Sequence, residues 1–341
     1  MRPCRSVSTH PTTSRRPLAA TAALALALLT SACAGAPQPP ASAAAEATGF
    51  PVEITSCGHT STIASPVHRA VTMNQGATEV ALALGVEDRL AGTAYLDDAV
   101  PQRWAAAYDA VPVLSPEYPT REELLAVEPD LVYGAYASAF DPGAAGSRAE
   151  LERTGTAAYL SPFGCEEQDL RPDASFEAVW DEVDSVAAAF GVPERAEALR
   201  AEQQQRLAGL AAEEAGAGLD VLWYDSGDRA PYVGAGAGGP QLVLDAVGAR
   251  NVFADQPGSW VEASWEEVVA ADPDVVVLAD ASWSSAEEKI AYLEADPVLS
   301  TLRAVREQRF VTVAFSESTA GVRLVDGAVS VAAQLAGLDA S

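Results

Sequence analysis

A chain that carries one segment twice, far apart, is constrained more by that fact than by its composition. Thr120 to Gly134 reads TREELLAVEPDLVYG, and Ser264 to Leu278, 144 positions later, reads SWEEVVAADPDVVVL. Glu122 matches Glu266, Glu123 matches Glu267, Pro129 matches Pro273 and Asp130 matches Asp274; most other differences exchange Leu for Val or Thr for Ser. In each copy Thr120 or Ser264 stands where a helix N-cap belongs, with Glu123 or Glu267 three residues on to close a capping box. A short helix is expected, then a Pro-Asp break, then a buried apolar strand. The separation is too long for a solenoid. The pattern predicts one supersecondary unit used once in each of two similar lobes.

The surrounding sequence supports that reading. A length of 341 residues suits about two domains. Phe50 to Ala64 alternates apolar and polar residues about Cys57-Gly58-His59 and reads as a hairpin. Strands are expected at residues 70–73, 89–95, 111–114, 130–134 and 157–161, with helices at 77–84, closed by Gly85, and 149–154. Ser175 to Phe190 places Phe176, Val179, Trp180, Val183, Val186 and Ala187 on one face. After Gly191-Val192-Pro193 a second, polar helix runs to Glu214, long enough for about 30 Å. Further strands are expected at 219–225, 274–280 and 310–315, a hairpin-like turn at 226–233, and helices at 240–247, closed by Gly248, and 322–335. Strands alternating with helices argue for parallel sheets. The expected fold is α/β: two Rossmann-like lobes, 49–174 and 216–341, joined by rigid connector helices at 175–215.

The N-terminus reads as an export signal. Arg2, Arg5, Arg15 and Arg16 precede a short apolar run, Leu18 to Leu29, that ends at Thr30-Ser31-Ala32-Cys33. The stretch resembles a lipoprotein signal, which implies cleavage after residue 32, lipidation of Cys33 and a Pro/Ala tether over 33–48. Thr30 stands where such signals usually have Leu, and an ordinary cleavage site is the alternative. A basic n-region explains Arg15-Arg16 as well as twin-arginine export does. Loss of the four arginines takes the formal net charge from −27 to −31, which argues against nucleic acid and against adhesion to an anionic membrane surface. Cys57 and Cys165 are then the remaining pair in an oxidising compartment and are expected to form a disulfide; two separate thiols are the alternative.

The order of features, from RAVTMNQGATEVALALGVEDRLAGT through EPDLVYG, the connector and ADPDVVVL, resembles the helix-linked substrate-binding proteins of bacterial ABC importers. That class captures ferric siderophores, haem and cobalamin. The resemblance covers about residues 50–338. A narrower likeness, in YPTREELLAVEPDLVYGAYASAF, the Cys57/Cys165 pair, WYDSGDRAPYVGAGAGGPQ and ESTAGVRLVDGA, is to an actinobacterial subgroup assigned to a phospholactyl deazaflavin, the precursor of the deazaflavin coenzyme. The resemblance implies an extracytoplasmic, lipid-anchored monomer that captures a small molecule and hands it to a permease with its ATPase, without a cofactor of its own. It also implies that Glu122 and Glu266, one per lobe, dock on the permease. An acidic residue in a first helical turn is favourable in any case. An anchored sensing or scaffold protein without transport is the alternative function.

The ligand is expected between the lobes, over the carboxyl ends of the strands. Candidate contacts are Asn74 and the aromatics Tyr95, Tyr133, Tyr136, Trp223, Tyr224, Tyr232, Trp260, Trp283 and Phe315, whose rings suit a conjugated or chelate ligand. Arg323 is a candidate grip for a carboxylate or phosphate; a structural ion pair is the alternative. Gly234-Ala-Gly236-Ala-Gly238-Gly239 fits G-x-G-x-x-G, but it does not follow the opening strand of a βαβ unit, so a dinucleotide fold is the wrong inference. Gly234 and Gly236 remain candidates for a phosphate cradle.

Enzymatic readings find no support. The mature chain has only His59 and His68, read as solvated loop residues, and no H-E-x-x-H. The zinc- and manganese-binding cousins of the fold need several histidines. No G-x-S-x-G elbow appears. Asp97-Asp98 reads as a solvated acidic loop. No catalytic residue and no metal site are expected.

Overall fold

The structure is a computed structural model that describes residues 49–338. The signal, the tether and Cys33 lie outside the described residues. Alternation from Val52 to Ile63 produces an antiparallel hairpin, β1 (Val52–Ser56) and β2 (His59–Ile63), with Ile54, Ser56, Ser61 and Ile63 turned inward. The βα rhythm follows: β3 (Ala70–Met73), α1 (Gln75–Ala83), β4 (Leu90–Ala94), α2 (Ala105–Asp109), β5 (Val113–Ser115), α3 (Arg121–Ala126), β6 (Leu131–Gly134), α4 (Arg148–Arg153) and β7 (Ala157–Leu160). These strands form a parallel sheet in the order β5-β4-β3-β6-β7. Every residue of β3 and β6 is buried, as expected of central strands covered on both faces.

Two helices divide the connecting work. Ser175 caps α5 (Phe176–Phe190) by accepting from the Ala178 amide, and Gly191 ends it in the left-handed conformation. Its face of Val183, Val186 and Phe190 packs into the core under the first sheet. Pro193 opens α6 (Pro193–Glu213). Near its start Ala196 and Leu199 join that same core, whereas Leu207 and Leu210 near its end belong to the core of the second sheet. The spanning element is therefore α6, about 30 Å long.

The second lobe contains β8 (Asp220–Ser226), β9 (Tyr232–Gly234), α7 (Gly239–Ala246), β10 (Arg250–Asn251), β11 (Trp260–Glu262), α8 (Trp265–Ala271), β12 (Val275–Asp280), α9 (Ala286–Ala295), α10 (Arg303–Arg306), β13 (Phe310–Ala314) and α11 (Leu324–Leu338). Its sheet runs β11-β9-β8-β12-β13, with β10 also paired to β8. The sheet is mixed, not purely parallel, because β9 folds back on β8 and β11 adds antiparallel to β9. The helix α9 has a capping box of its own, Ser285 with Glu288.

The two copies of the repeated segment match in detail. Thr120 and Ser264 each accept from the N3 amide of Glu123 and Glu267, whose carboxylates return to the cap amide. The residues just before each Pro-Asp, Glu128 and Asp272, are both left-handed. Asp130 accepts the amides of His68 and Arg69 at the entry to β3, and Asp274 accepts the Asp220 amide at the entry to β8. Each aspartate thus pins its strand, β6 or β12, to the strand beside it.

Candidate ligand cleft between the lobes

The carboxyl ends of both sheets face one cleft of about 620 Å³, lined by residues of both lobes and of α5. This size is ordinary for a small-molecule site. Tyr133, Tyr136, Phe163, Tyr232, Trp260 and Phe315 are its aromatic lining residues. Tyr232 and Trp260, diagonal to each other across the β9–β11 pair, stack with centroids 6.1 Å apart at 16°. Trp283 is not a lining residue: it is 55 % exposed and stands edge-on to Phe315, 4.9 Å between centroids.

Several expected contacts lie elsewhere. Trp223 and Tyr224 are essentially inaccessible, and they belong to the cores on opposite faces of β8. A strand buried on both faces turns successive side chains into two different cores, so neither ring reaches the cleft. Tyr95 packs edge-on against Tyr118, and Asn74 hydrogen-bonds the Tyr118 hydroxyl at 2.9 Å. Neither lines the cleft. Asn74 instead occupies a left-handed turn (φ 71°) at the start of α1.

Gly234 and Gly236 also face protein. A Cβ on Gly234 would meet Pro240, and one on Gly236 would lie 2.0 Å from the Ala254 carbonyl oxygen. The Ala235, Gly236 and Ala237 amides donate to the Ser259, Gln256 and Gly258 carbonyls. The loop glycines allow close backbone packing, and those amides are not free to cradle a phosphate. Only the end of the run, Ala237 and Gly239, borders the cleft.

Arg323 lines the cleft, but its charge is already engaged. Its guanidinium is held by Glu79 at 3.1 Å, by Asp98 at 3.6 Å and by Glu317. The paired acidic residues at 97–98 are accordingly not solvated. Asp98 crosses between the lobes to accept the Ser316 amide at 2.8 Å and its hydroxyl at 3.0 Å, and the Asp97 carbonyl accepts from Ser282 at 3.1 Å. A second crossing joins Arg103 of the first lobe to Asp326 of α11, which also takes Arg206 of α6 at 2.7 Å. Gln203 of α6 links Trp180 of α5 to the Val322 carbonyl. His59 is likewise not a loop residue: it sits in β2, 3.1 Å from Glu152.

The cleft is acidic. Burial pushes Glu79 up to about 7, against the pull of Arg323, and pushes Asp97 up to about 6. Glu182 of α5, 3 % exposed at the cleft floor, is raised by burial to about 7. The Tyr133 hydroxyl donates to it at 2.6 Å. Sequence reasoning missed Glu182, although a signal existed: it occupies the stripe of Val179, Val183 and Val186, where an unpaired charge is anomalous. Among the described residues no group of His, Cys, Asp and Glu could hold a metal ion.

Away from the cleft, Glu122 and Glu266 are exposed in the first turns of α3 and α8, and no bond to either carboxylate is found among the described residues. The Sγ atoms of Cys57 and Cys165 are bonded, Cα atoms 5.3 Å apart, tying the hairpin to the loop after β7.

Residues 71–316 match the profile of a family described as periplasmic binding protein. A periplasmic binding protein from Veillonella parvula superposes with a TM-score of 0.72 at 28 % identity, covering 84 % of this chain and 97 % of its own. A protein of an ABC-type Fe3+-hydroxamate transport system from Saccharomonospora viridis gives 0.70 at 24 % identity, covering 84 % and 99 %, a likeness of fold. The vitamin B12-binding protein of Photorhabdus laumondii is 24 % identical over 226 residues, 66 % of this chain and 74 % of that protein.

Proposed function

We propose that this chain, which belongs to the periplasmic binding protein family, captures a small conjugated or chelate molecule outside the cytoplasm and delivers it to an ABC permease. The observation that carries this reading is a pairing: an interlobe cleft, and one exposed glutamate on a matched capped helix of each lobe. Glu122 and Glu266 would meet basic pockets of the permease, a contact that charge makes fast and reversible. A lipid on Cys33 and the tether over 33–48 would hold the protein, as a monomer, near its transporter. No reaction is part of this function.

The cleft walls favour a neutral or cationic cargo. Arg323 is balanced by Glu79, Asp98 and Glu317, and Asp97 and Glu182 add acidity. An uncharged or cationic ferric hydroxamate meets these walls without burying an anion against them. The phospholactyl deazaflavin is the second reading, favoured by the parallel Tyr232–Trp260 stack for its ring and by Arg171 and the helix start at Gly239 for its acidic tail.

The deciding experiment is a tryptophan-fluorescence titration of unlipidated residues 34–341 with four kinds of ligand: the phospholactyl deazaflavin, ferric hydroxamates, haem and cobalamin. Saturable quenching at micromolar concentration or below by one compound is expected and identifies the cargo. A folded protein that binds none of them would shift weight to an anchored sensing or scaffold role without transport.

A further inference from the structure

Resting on the capture role above, we propose that Glu182, with Tyr133 and Ser161, forms a cation-recognising subsite at the cleft floor that takes a positively charged, N–H-donating group of the cargo. The three residues come from three elements that converge at the carboxyl edge of the first sheet. Tyr133 is in β6, Ser161 follows β7, and Glu182 comes from α5. All three line the cleft and all three are buried. The Tyr133 hydroxyl donates to the Glu182 side chain at 2.6 Å, the Ser161 hydroxyl favours the charged form of Glu182, and the Tyr133 hydroxyl is held protonated well above its ordinary range by burial and by Glu182 itself.

A carboxylate offers about four lone-pair sites, and two neighbouring hydroxyls leave acceptor capacity over. What the site lacks is a cation: among the described residues no Arg, Lys or His pairs with Glu182, and the titratable groups facing it are Tyr133 and Tyr159. Buried carboxylates are ordinarily paired with a positive group or left neutral. Here the open side is the cleft, so the guest is the available source of the missing positive charge. The contrast with Arg323 sharpens the assignment. The cationic floor residue is already balanced by this chain's own acids, whereas the anionic one is not.

The test uses benzamidinium, a planar aromatic cation, and benzamide, its neutral counterpart, with residues 34–341. Wild type should bind benzamidinium saturably and benzamide far more weakly. Glu182→Gln, which keeps the acceptor for Tyr133, should lose about ten- to a hundredfold in benzamidinium affinity with no fall in its thermal midpoint at neutral pH. Glu213→Gln, an exposed acid at the end of α6 and away from the cleft, should change affinity by less than about twofold. A second reading needs no variant. Wild-type affinity for benzamidinium should fall as pH is lowered through the value near 7, where the Glu182 carboxylate takes up its proton. Equal benzamidinium affinity in wild type and Glu182→Gln, no preference over benzamide, or a pH-independent affinity would each overturn the subsite. The cargo titration judges the capture role separately, because it depends on the panel compounds and not on benzamidinium.

Discussion

Arg323 of the second lobe and Glu79 of the first meet across the interlobe seam, Nη1 to Oε1 3.1 Å, with each side chain no more than 5 % exposed. The pair is the centre of a cluster that also takes in Asp98 and Glu317, so removing the cation would strand three carboxylates. Arg323→Met should therefore destabilise the protein by about 3–5 kcal/mol, measured by urea unfolding at neutral pH. A loss below about 1 kcal/mol would mean the seam is solvated in solution.

The raised carboxyls make a prediction about pH. Glu182 and Glu79 titrate near 7 and Asp97 near 6 in the folded protein, above their ordinary values of 4.5, 4.5 and 3.8. Between those limits the folded state binds more protons than the unfolded chain, so these groups make stability fall as pH rises. Glu182→Gln removes the contribution of a fully buried group, on the order of 3 kcal/mol over the window. The urea midpoint of the variant should decline less than that of wild type between about pH 5 and pH 8. Parallel profiles would refute the assignment.

The docking role proposed for Glu122 and Glu266 predicts that binding and transport can be separated. Glu122→Arg and Glu266→Arg should each cut cellular uptake of the identified cargo about tenfold or more while its affinity in solution stays within about twofold. Uptake at the wild-type level would remove these residues from the docking surface.

Oxidation state offers a further check. If Cys57 and Cys165 are bonded in the exported protein, reduction should lower stability by about 2–4 kcal/mol, because the link closes a long loop. Intact mass before and after reduction, followed by alkylation, reads the bond directly. Free thiols in the exported protein would contradict it.

The aromatic walls can be ranked. Trp260→Ala or Tyr232→Ala should weaken cargo binding about tenfold through loss of the stack. Trp223→Phe should leave affinity unchanged, since Trp223 lies in the core and its Nε1 finds no hydrogen-bond partner among the described residues. Titration of the three variants with the same compound would expose any reversal of that order.

Much of the architecture was legible because it is written in local chemistry. Thr120 with Glu123 and Ser264 with Glu267 announce two helix starts, and Pro129-Asp130 and Pro273-Asp274 announce the strands that follow. Side-chain direction was not legible. In β8 every residue from Val221 to Tyr224 is buried, so sequence position cannot tell which aromatic faces a core and which a ligand. Asp98 reads as a hydrophilic loop residue until the other lobe brings Ser316 and Arg323 to it. Contacts between distant parts of a chain leave no periodic trace. Glu182 does leave one, as a charge in an apolar stripe, but the stripe alone does not tell whether that charge faces a core or a cleft.

The seam between the lobes has a mechanical consequence. Asp98 on Ser316, Arg323 on Glu79 and Asp326 on Arg103 and Arg206 hold the two halves together. A host so fastened has little closing motion with which to grip, and it selects by what its fixed doorway admits. Nor would it let a guest go by relaxing. The load for prying it apart would have to come from outside and act on both halves at once, and the docking proposed for Glu122 and Glu266 would make them the two handles at which such a load is applied.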